Sequence, residues 1–172
     1  MEIMTQRLRL VPVSLEHVES TFEYASDIEN TKYMMYLPFG SLEETRQSIV
    51  DAINEWNSSA PKRLEFAVMM GDAHIGGLTL YYLEDRTHGE LGWVMNKAYW
   101  GRGYITEAAQ GLMYYAAKEL GISRIIACCD SENMASRRVM EKLGMKFYGT
   151  GKRKNRSMGD EERIEIIYEV FI

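Results

Sequence analysis

Residues 91–109 read LGWVMNKAYWGRGYITEAA, and the reading of the whole chain turns on them. Leu91 to Met95 is a short apolar run of the kind that forms a strand. The connection NKAYWGRGY follows, and the sequence ITEAAQGLMYYAAKEL then sets Ala108, Leu112, Tyr115, Ala116 and Leu120 on one helical stripe that Gly121 ends. The unit is strand, glycine-bearing loop, helix. Backbone N–H groups at a helix start lack internal partners and carry about half a positive charge, so they hold a phosphate without any basic side chain. Gly101 and Gly103 permit a tight turn and close approach of an anion, Thr106 adds a hydroxyl and Arg102 a cation. Two glycines before a helix also serve simply to turn a chain, so the loop alone leaves both readings open.

Two nucleotide-binding patterns are absent. No Gly-Lys-Ser/Thr makes a P-loop, and GRGYIT lacks the third glycine of the dinucleotide fingerprint.

Outward from this unit, Leu8, Leu10 and Pro12 alternate as a first strand, and Ser14 is placed to cap a helix running to about Ser26. Ser41 and Glu44 form a capping-box pattern ahead of Ile49, Ile53 and Trp56. Between these helices, Tyr33 to Phe39 is rich in aromatic residues and methionine without clean period, as either core cover or a pocket wall would be. Leu64 to Met70 and Ala73 to Leu83 read as a hairpin over Gly71-Asp72, with a further strand at Glu90 to Met95. Arg124 to Cys129 is a buried strand, Asn133 to Leu143 a short helix, and Lys146 to Arg153 and Glu162 to Val170 the last two strands, joined by a polar, mobile loop. This order predicts an α/β fold in one domain over 1–172, a mixed sheet covered by helices on both faces.

Composition narrows the class. With 46% hydrophobic and 26% charged residues the chain reads as globular, and a net charge of -5 argues against nucleic acid as the partner, since phosphate binding wants a basic face. No apolar run is long enough to span a bilayer and MEIMTQRLRL has no signal-peptide core, which predicts a cytoplasmic protein with no membrane partner. Cys128 and Cys129 are adjacent, so neither a disulfide framework nor a zinc spacing is available and no metal is expected.

The stretch ELGWVMNKAYWGRGYITEAA, followed by ACCDSENMASRRVMEKLGMKFYG, resembles the GCN5-related N-acetyltransferase (GNAT) superfamily, and most its RimJ/RimL-type branch. TQRLRLVPVSLEHVE and GDAHIGGLTL resemble that branch too, in the same order. The resemblance implies a mostly antiparallel sheet of about six to seven strands, with a central parallel pair that splays, and acetyl-CoA as acyl donor. It implies that Leu91 to Met95 and Arg124 to Cys129 part to admit the pantetheine arm, with backbone groups of Val94 and Met95 bonding it. The pyrophosphate would rest on Gly101, Arg102, Gly103, Tyr104, Ile105 and Thr106, where Ile105 departs from the family's usual glycine or alanine. Asn133, Ser136 and Arg137 match the N-x-x-S-R start of the following helix, in which asparagine and arginine meet the cofactor; asparagine is equally a helix cap. The acceptor that the resemblance implies is a primary amine, either a protein N-terminus or a small molecule, and a homodimer is left open.

Amine acylation needs an unprotonated amine and a stabilised departing thiolate. The family's usual tyrosine acid is replaced by Met140, leaving Ser136 or a water. Glu90, at the entry to the first splayed strand, matches a glutamate common in the branch and is the expected base; burial or a water relay must raise its proton affinity. Its other reading is an exposed strand-end charge. His74, expected in a turn, and His88, in a loop, are weaker candidates. The loss of the tyrosine keeps a noncatalytic acyl-CoA-binding module or sensor as the alternative.

Overall fold

Period-two alternation along each extended segment decides which side chains enter the core. The strands are β1 (Ile3–Met4), β2 (Arg9–Pro12), β3 (Arg63–Met70), β4 (Ala73–Tyr82), β5 (His88–Met95), β6 (Arg124–Asp130), β7 (Lys146–Arg153) and β8 (Arg163–Phe171). The helices are α1 (Val18–Ala25), α2 (Ile28–Thr31), α3 (Leu42–Trp56), α4 (Tyr104–Glu119) and α5 (Met134–Lys142). The computed structural model describes residues 1–172, and in it the strands form one sheet ordered β1-β2-β3-β4-β5-β6-β8-β7. All neighbours are antiparallel except β5 and β6, which are joined by the α4 crossover and run parallel. The strand beyond the expected set is β1, whose two residues are too short to show a period. No helix is long and apolar enough to cross a membrane.

Leu64, Phe66 and Val68 of β3, Leu78 and Leu80 of β4 and Leu91 of β5 point to one face, where Ala108, Leu112 and Ala116 of α4 close on them. Burying each large member contributes about 1.5–3 kcal/mol, and Phe66, Leu78, Leu80 and Leu112 are fully buried. On the opposite face lie α1 and α3, where Val18, Ile49 and Ala52 make a smaller core with Val13. Ser41 caps α3 as expected, its Oγ accepting from Glu44 N at 3.1 Å. The reciprocal half differs: the Glu44 carboxylate reaches Gly40 N at 2.7 Å instead of Ser41.

Two expectations are corrected here. The loop between β7 and β8 is not free. Asn155 is wholly buried and donates to Asp130 Oδ2 at 2.6 Å, and Arg156 N donates to Met34 O at 3.0 Å, which ties the loop to β6 and to the segment after α2. His74 is a β4 residue, not a turn residue: strand pairing at Met69 continues the ladder to it past a bulge. Its ring lies 4.8 Å from the His17 ring and 5.6 Å from the Tyr24 ring. His74 Nε2 donates to Gly76 O at 2.9 Å, which makes Nδ1 the acceptor for Ser20 Oγ at 2.7 Å.

Burial, with His17 alongside, pushes the His74 imidazole down to about 4. The folded state therefore prefers neutral His74, and its contribution to stability is complete above pH 6.5 and is lost as pH falls toward 4, because the unfolded chain takes up a proton the fold refuses. The loss is roughly 3 kcal/mol across that window. We expect denaturant titrations between pH 7 and 4 to show this limb in the parent protein and a flatter one in His74→Gln; parallel curves would rule out His74 as its source.

Candidate active site

Strands β5 and β6 begin as partners and end apart. Their pairing runs from His88 with Arg124 to Leu91 with Ala127 and stops, although β5 continues to Met95 and β6 to Asp130. The unpaired ends open a wedge at the carboxyl side of a parallel pair, where open α/β sheets present backbone groups to ligands.

Which backbone groups face the wedge follows from the ladder on the other side of β5. Leu83 N donates to His88 O and Asn96 N donates to Ile75 O, and these bonds bracket the β4–β5 register. In an antiparallel pair, bonded and non-bonded pairs alternate. His88, Glu90, Gly92, Val94 and Asn96 therefore turn their backbone groups toward β4, and Trp93 and Met95 turn theirs toward the wedge. This corrects the expectation for Val94, whose N–H and C=O belong to the ladder with Gly77, and adds Trp93. Met95 O accepts from Trp100 Nε1 at 2.7 Å, so of its two backbone groups it is the N–H that can serve a ligand in the wedge.

A cavity of 400 Å³ lies at the wedge and brings together Glu90, Cys128, Asn133 and Ser136, with Arg153 and Glu165 from the last hairpin. Burial, helped by the negative charge of Glu165, holds the Glu90 carboxyl above the usual carboxylate range, against Arg153 and a bond from the Cys128 thiol. Glu90 is thus half-buried beside the split strands rather than an exposed strand-end charge. Cys128 stays a thiol, since burial and the neighbouring carboxylates of Glu90 and Glu165 push it up to about 12. Arg153 is fixed by three partners: Asn155 Oδ1 at 2.9 Å, Tyr33 O at 2.9 Å and Glu165 at 3.3 Å.

Asn133 is the cap of α5, its Oδ1 accepting from Ser136 N at 3.1 Å, so the capping reading holds while the side chain also borders the cavity. Arg137 stands outside this cavity and pairs with Glu141 at 3.0 Å on the surface of α5. Met140 is fully buried in the main core and offers nothing to a leaving group. His88 pairs with Asp85 at 2.7 Å, away from both cavities described here.

The glycine loop has the geometry that its sequence suggests. Gly101 and Gly103 sit at φ 76° and 78°, left-handed values costly for other residues, and Gly103 opens α4. The first turn bond is Glu107 N to Gly103 O, so the N–H groups of Tyr104, Ile105 and Thr106 have no partner inside the helix. The Ile105 side chain packs against the core, so this departure leaves its amide in place. Arg102 is exposed with its guanidinium 5.9 Å from the Tyr99 ring.

The N-terminal segment braces this loop, which sequence reading misses. Arg7 donates through Nε to Glu107 Oε2 at 2.6 Å and through Nη1 to Arg102 O at 3.2 Å, and stacks 4.6 Å from the Tyr104 ring centre. Thr5 Oγ1 adds a bond to Glu107 at 2.6 Å. Gly111 makes the approach possible: a Cβ there would lie 2.8 Å from Thr5 Cγ2. The residues are about a hundred positions apart in sequence, and no local pattern links them.

A larger cavity of 650 Å³ adjoins the first on the α1 and α3 side of the sheet. Both are bordered by Met34, Met35, Tyr36, Tyr81, Gly92 and Trp93, so the aromatic and methionine-rich connection is a pocket wall.

Comparison with known proteins agrees with this architecture. The acetyltransferase (GNAT) domain family matches residues 7–146. The chain is 33% identical to YnaD, an uncharacterized N-acetyltransferase of Bacillus subtilis, over 98% of each protein. It is similar to the crystal structure of a GNAT-family acetyltransferase from Bacillus anthracis, with 33% identity, a TM-score of 0.84 and coverage of 99% of this chain and 98% of that one. It shares the fold of RimL, a ribosomal L7/L12 alpha-N-protein acetyltransferase solved with coenzyme A, at a TM-score of 0.89 and 18% identity, over 100% of this chain and 98% of that one. From its split parallel strands, its glycine-opened helix and these relatives, the chain belongs to the GNAT acetyltransferase family, as an acetyl-CoA-dependent N-acetyltransferase.

Proposed function

We propose that the protein transfers acetyl from acetyl-CoA to a primary amine by direct attack in a ternary complex, with the donor's arm in the β5–β6 wedge. The observation that carries this reading is the meeting, at one wedge, of two backbone edges without strand partners and a half-buried carboxylate. The donor supplies an activated thioester. Trp93 and Met95 bond its arm as an added strand would, and one of their N–H groups polarises the carbonyl oxygen. The amides of Gly101 to Thr106 take the pyrophosphate, with Arg102 beside them. Asn133, through the amide nitrogen not used in capping, and Arg137 border the cofactor at α5. Glu90 takes the amine proton, directly or through a water, and Ser136 hydrogen-bonds the departing sulfur. The solved coenzyme A complex of RimL supports the donor site. The acceptor is a protein N-terminus or a small amine reaching the wedge through the larger cavity.

Acetyl-CoA is expected to stabilise the protein by about 2.7 kcal/mol at a hundredfold excess over its Kd, read as a raised thermal midpoint, with ATP and NAD far weaker. An equal shift with ATP, or none with acetyl-CoA, would sink the reading, and release of free CoA with an amine panel separates an enzyme from a binding module.

Gly103→Val sharpens the test at the loop. At φ 78° valine is strained even though the nearest atom to a Cβ, on Arg7, is 3.7 Å away. The fold is therefore expected to lose about 1–2 kcal/mol, and CoA affinity to fall as the amides move. Titration with dephospho-CoA should show the same loss, because the pyrophosphate is common to both ligands; unchanged affinity in the folded variant would place the pyrophosphate elsewhere.

A further inference from the structure

The larger cavity contains a carboxylate that nothing in the protein satisfies. Glu65 lies on its floor with the side chain 25% exposed, and its only charged partner is Arg63, at 3.6 Å, beyond hydrogen-bonding reach. Arg63 Nε is itself buried without a partner, so the two are neighbours rather than a made pair. The other charges bordering the cavity are already engaged: Glu44 with Arg156, and Asp51 with Gln47.

Register places Glu65 relative to the reaction wedge. Glu65 is opposite Thr79, and Thr79 is opposite Gly92, two residues from Glu90. Directly opposed residues share a face, and so do residues two apart on one strand. Glu65 and Glu90 therefore stand on the same face, roughly 10 Å apart across two strand spacings and roughly 7 Å along the strand, about 12 Å in all. Gly92 and Tyr81 border both cavities between them, and Tyr24, Phe39 and Met34 supply apolar wall.

We propose that Glu65 anchors a second cation on the acceptor, so that the preferred acceptor is a primary amine carrying another cationic group, a short alkyl diamine being the simplest case. One ammonium sits on Glu65, the alkyl body passes over Gly92 and Tyr81 along the apolar wall, and the other amine reaches Glu90. This rests on the acetyl-transfer reading above and names its acceptor class. Burial holds the Glu65 carboxyl above its usual range, which a bound cation would reverse.

The test is calorimetric titration of the full chain, saturated with CoA, with 1-aminobutane, 1,4-diaminobutane and 4-aminobutyrate. We expect the diamine to bind about tenfold tighter than the monoamine, as a charge-assisted bond in a shielded site would give, and 4-aminobutyrate to bind weakest. Glu65→Gln should reduce the diamine preference to within about threefold, and Glu65→Asp should restore part of it. Equal affinities, a preference that survives Glu65→Gln, or no amine binding at all would overturn the proposal. Tightest binding of 4-aminobutyrate would also overturn it and give the anchoring role to Arg63. Should Glu65→Gln not fold, the wild-type ranking of the three probes and Glu65→Asp decide. Failure of CoA itself to bind would count against the donor site, whereas CoA binding without diamine preference counts against Glu65 alone.

Discussion

Glu90→Gln is expected to lower kcat by about a hundredfold at neutral pH while acetyl-CoA affinity stays within about threefold, the signature of a lost proton acceptor. The side chain borders the wedge cavity, and burial with the charge of Glu165 raises its proton affinity toward that needed in a base. The sign of the pH effect follows. In the proposed role Glu90 must be deprotonated, so kcat/KM should rise as pH passes upward through its elevated pKa. In Glu90→Gln that limb disappears, and the rate should instead climb about tenfold per pH unit as the amine loses its proton unaided, so the deficit shrinks at high pH. A profile parallel to wild type would remove Glu90 from the proton path. Ser136→Ala gives the contrast, because a bond that strengthens only as charge grows on sulfur lowers kcat without the steep pH dependence. Full turnover in that variant would leave a water to serve the thiolate.

Asp130→Ala is expected to cost about 3–5 kcal/mol of folding stability, the range found when one partner of a buried ion pair is removed. Asp130 is 0% exposed and accepts from Arg163 Nε at 3.0 Å, Arg163 Nη2 at 3.2 Å, Asn155 Nδ2 at 2.6 Å and Glu132 N at 2.9 Å. Burial alone would raise its carboxyl, but the bonds from Arg163, the Glu132 amide and Asn155 outweigh it and hold the group below its usual range. The stabilisation is present above the unfolded carboxylate pKa and is lost as pH falls through the lower folded value. Since Asn155 also bonds Arg153, which carries Glu165 at the cavity, the variant should raise KM for the acceptor at temperatures where it remains folded. Lys152→Ala is the control: its partner Glu162 is 60% exposed and the pair 2.9 Å long, so less than about 1 kcal/mol should change. Denaturant midpoints of the two variants differing by less than about 1 kcal/mol would refute the buried network's role.

The sequence by itself determined the strand-loop-helix unit at 91–120, because apolar period and glycine placement are local properties that a few residues express. It also determined the capping role of Ser41, the strand at Arg124 to Cys129, and the family, which resides in motifs each continuous in sequence, whereas the choice of Asn133 as a cap came from the fold. Glu90 and Ser136 could be nominated on the same basis. What only the tertiary structure decided depends on register and on contacts across long separations. Val94 yields to Trp93 because a one-residue step reverses the direction of every backbone N–H and C=O, and only the β4 ladder sets that step. His74 is a neutral strand residue because His17, Ser20 and Tyr24 from another element surround it. The loop after β7 is held because a polar side chain such as Asn155 is buried when its partners, Asp130 and Arg153, come from elsewhere in the fold. Arg7 and Glu65 show the same limit. Each is an ordinary charged residue in a strand-like stretch, and its place at the glycine loop or a cavity floor is created by strands and helices that pack against it from far along the chain.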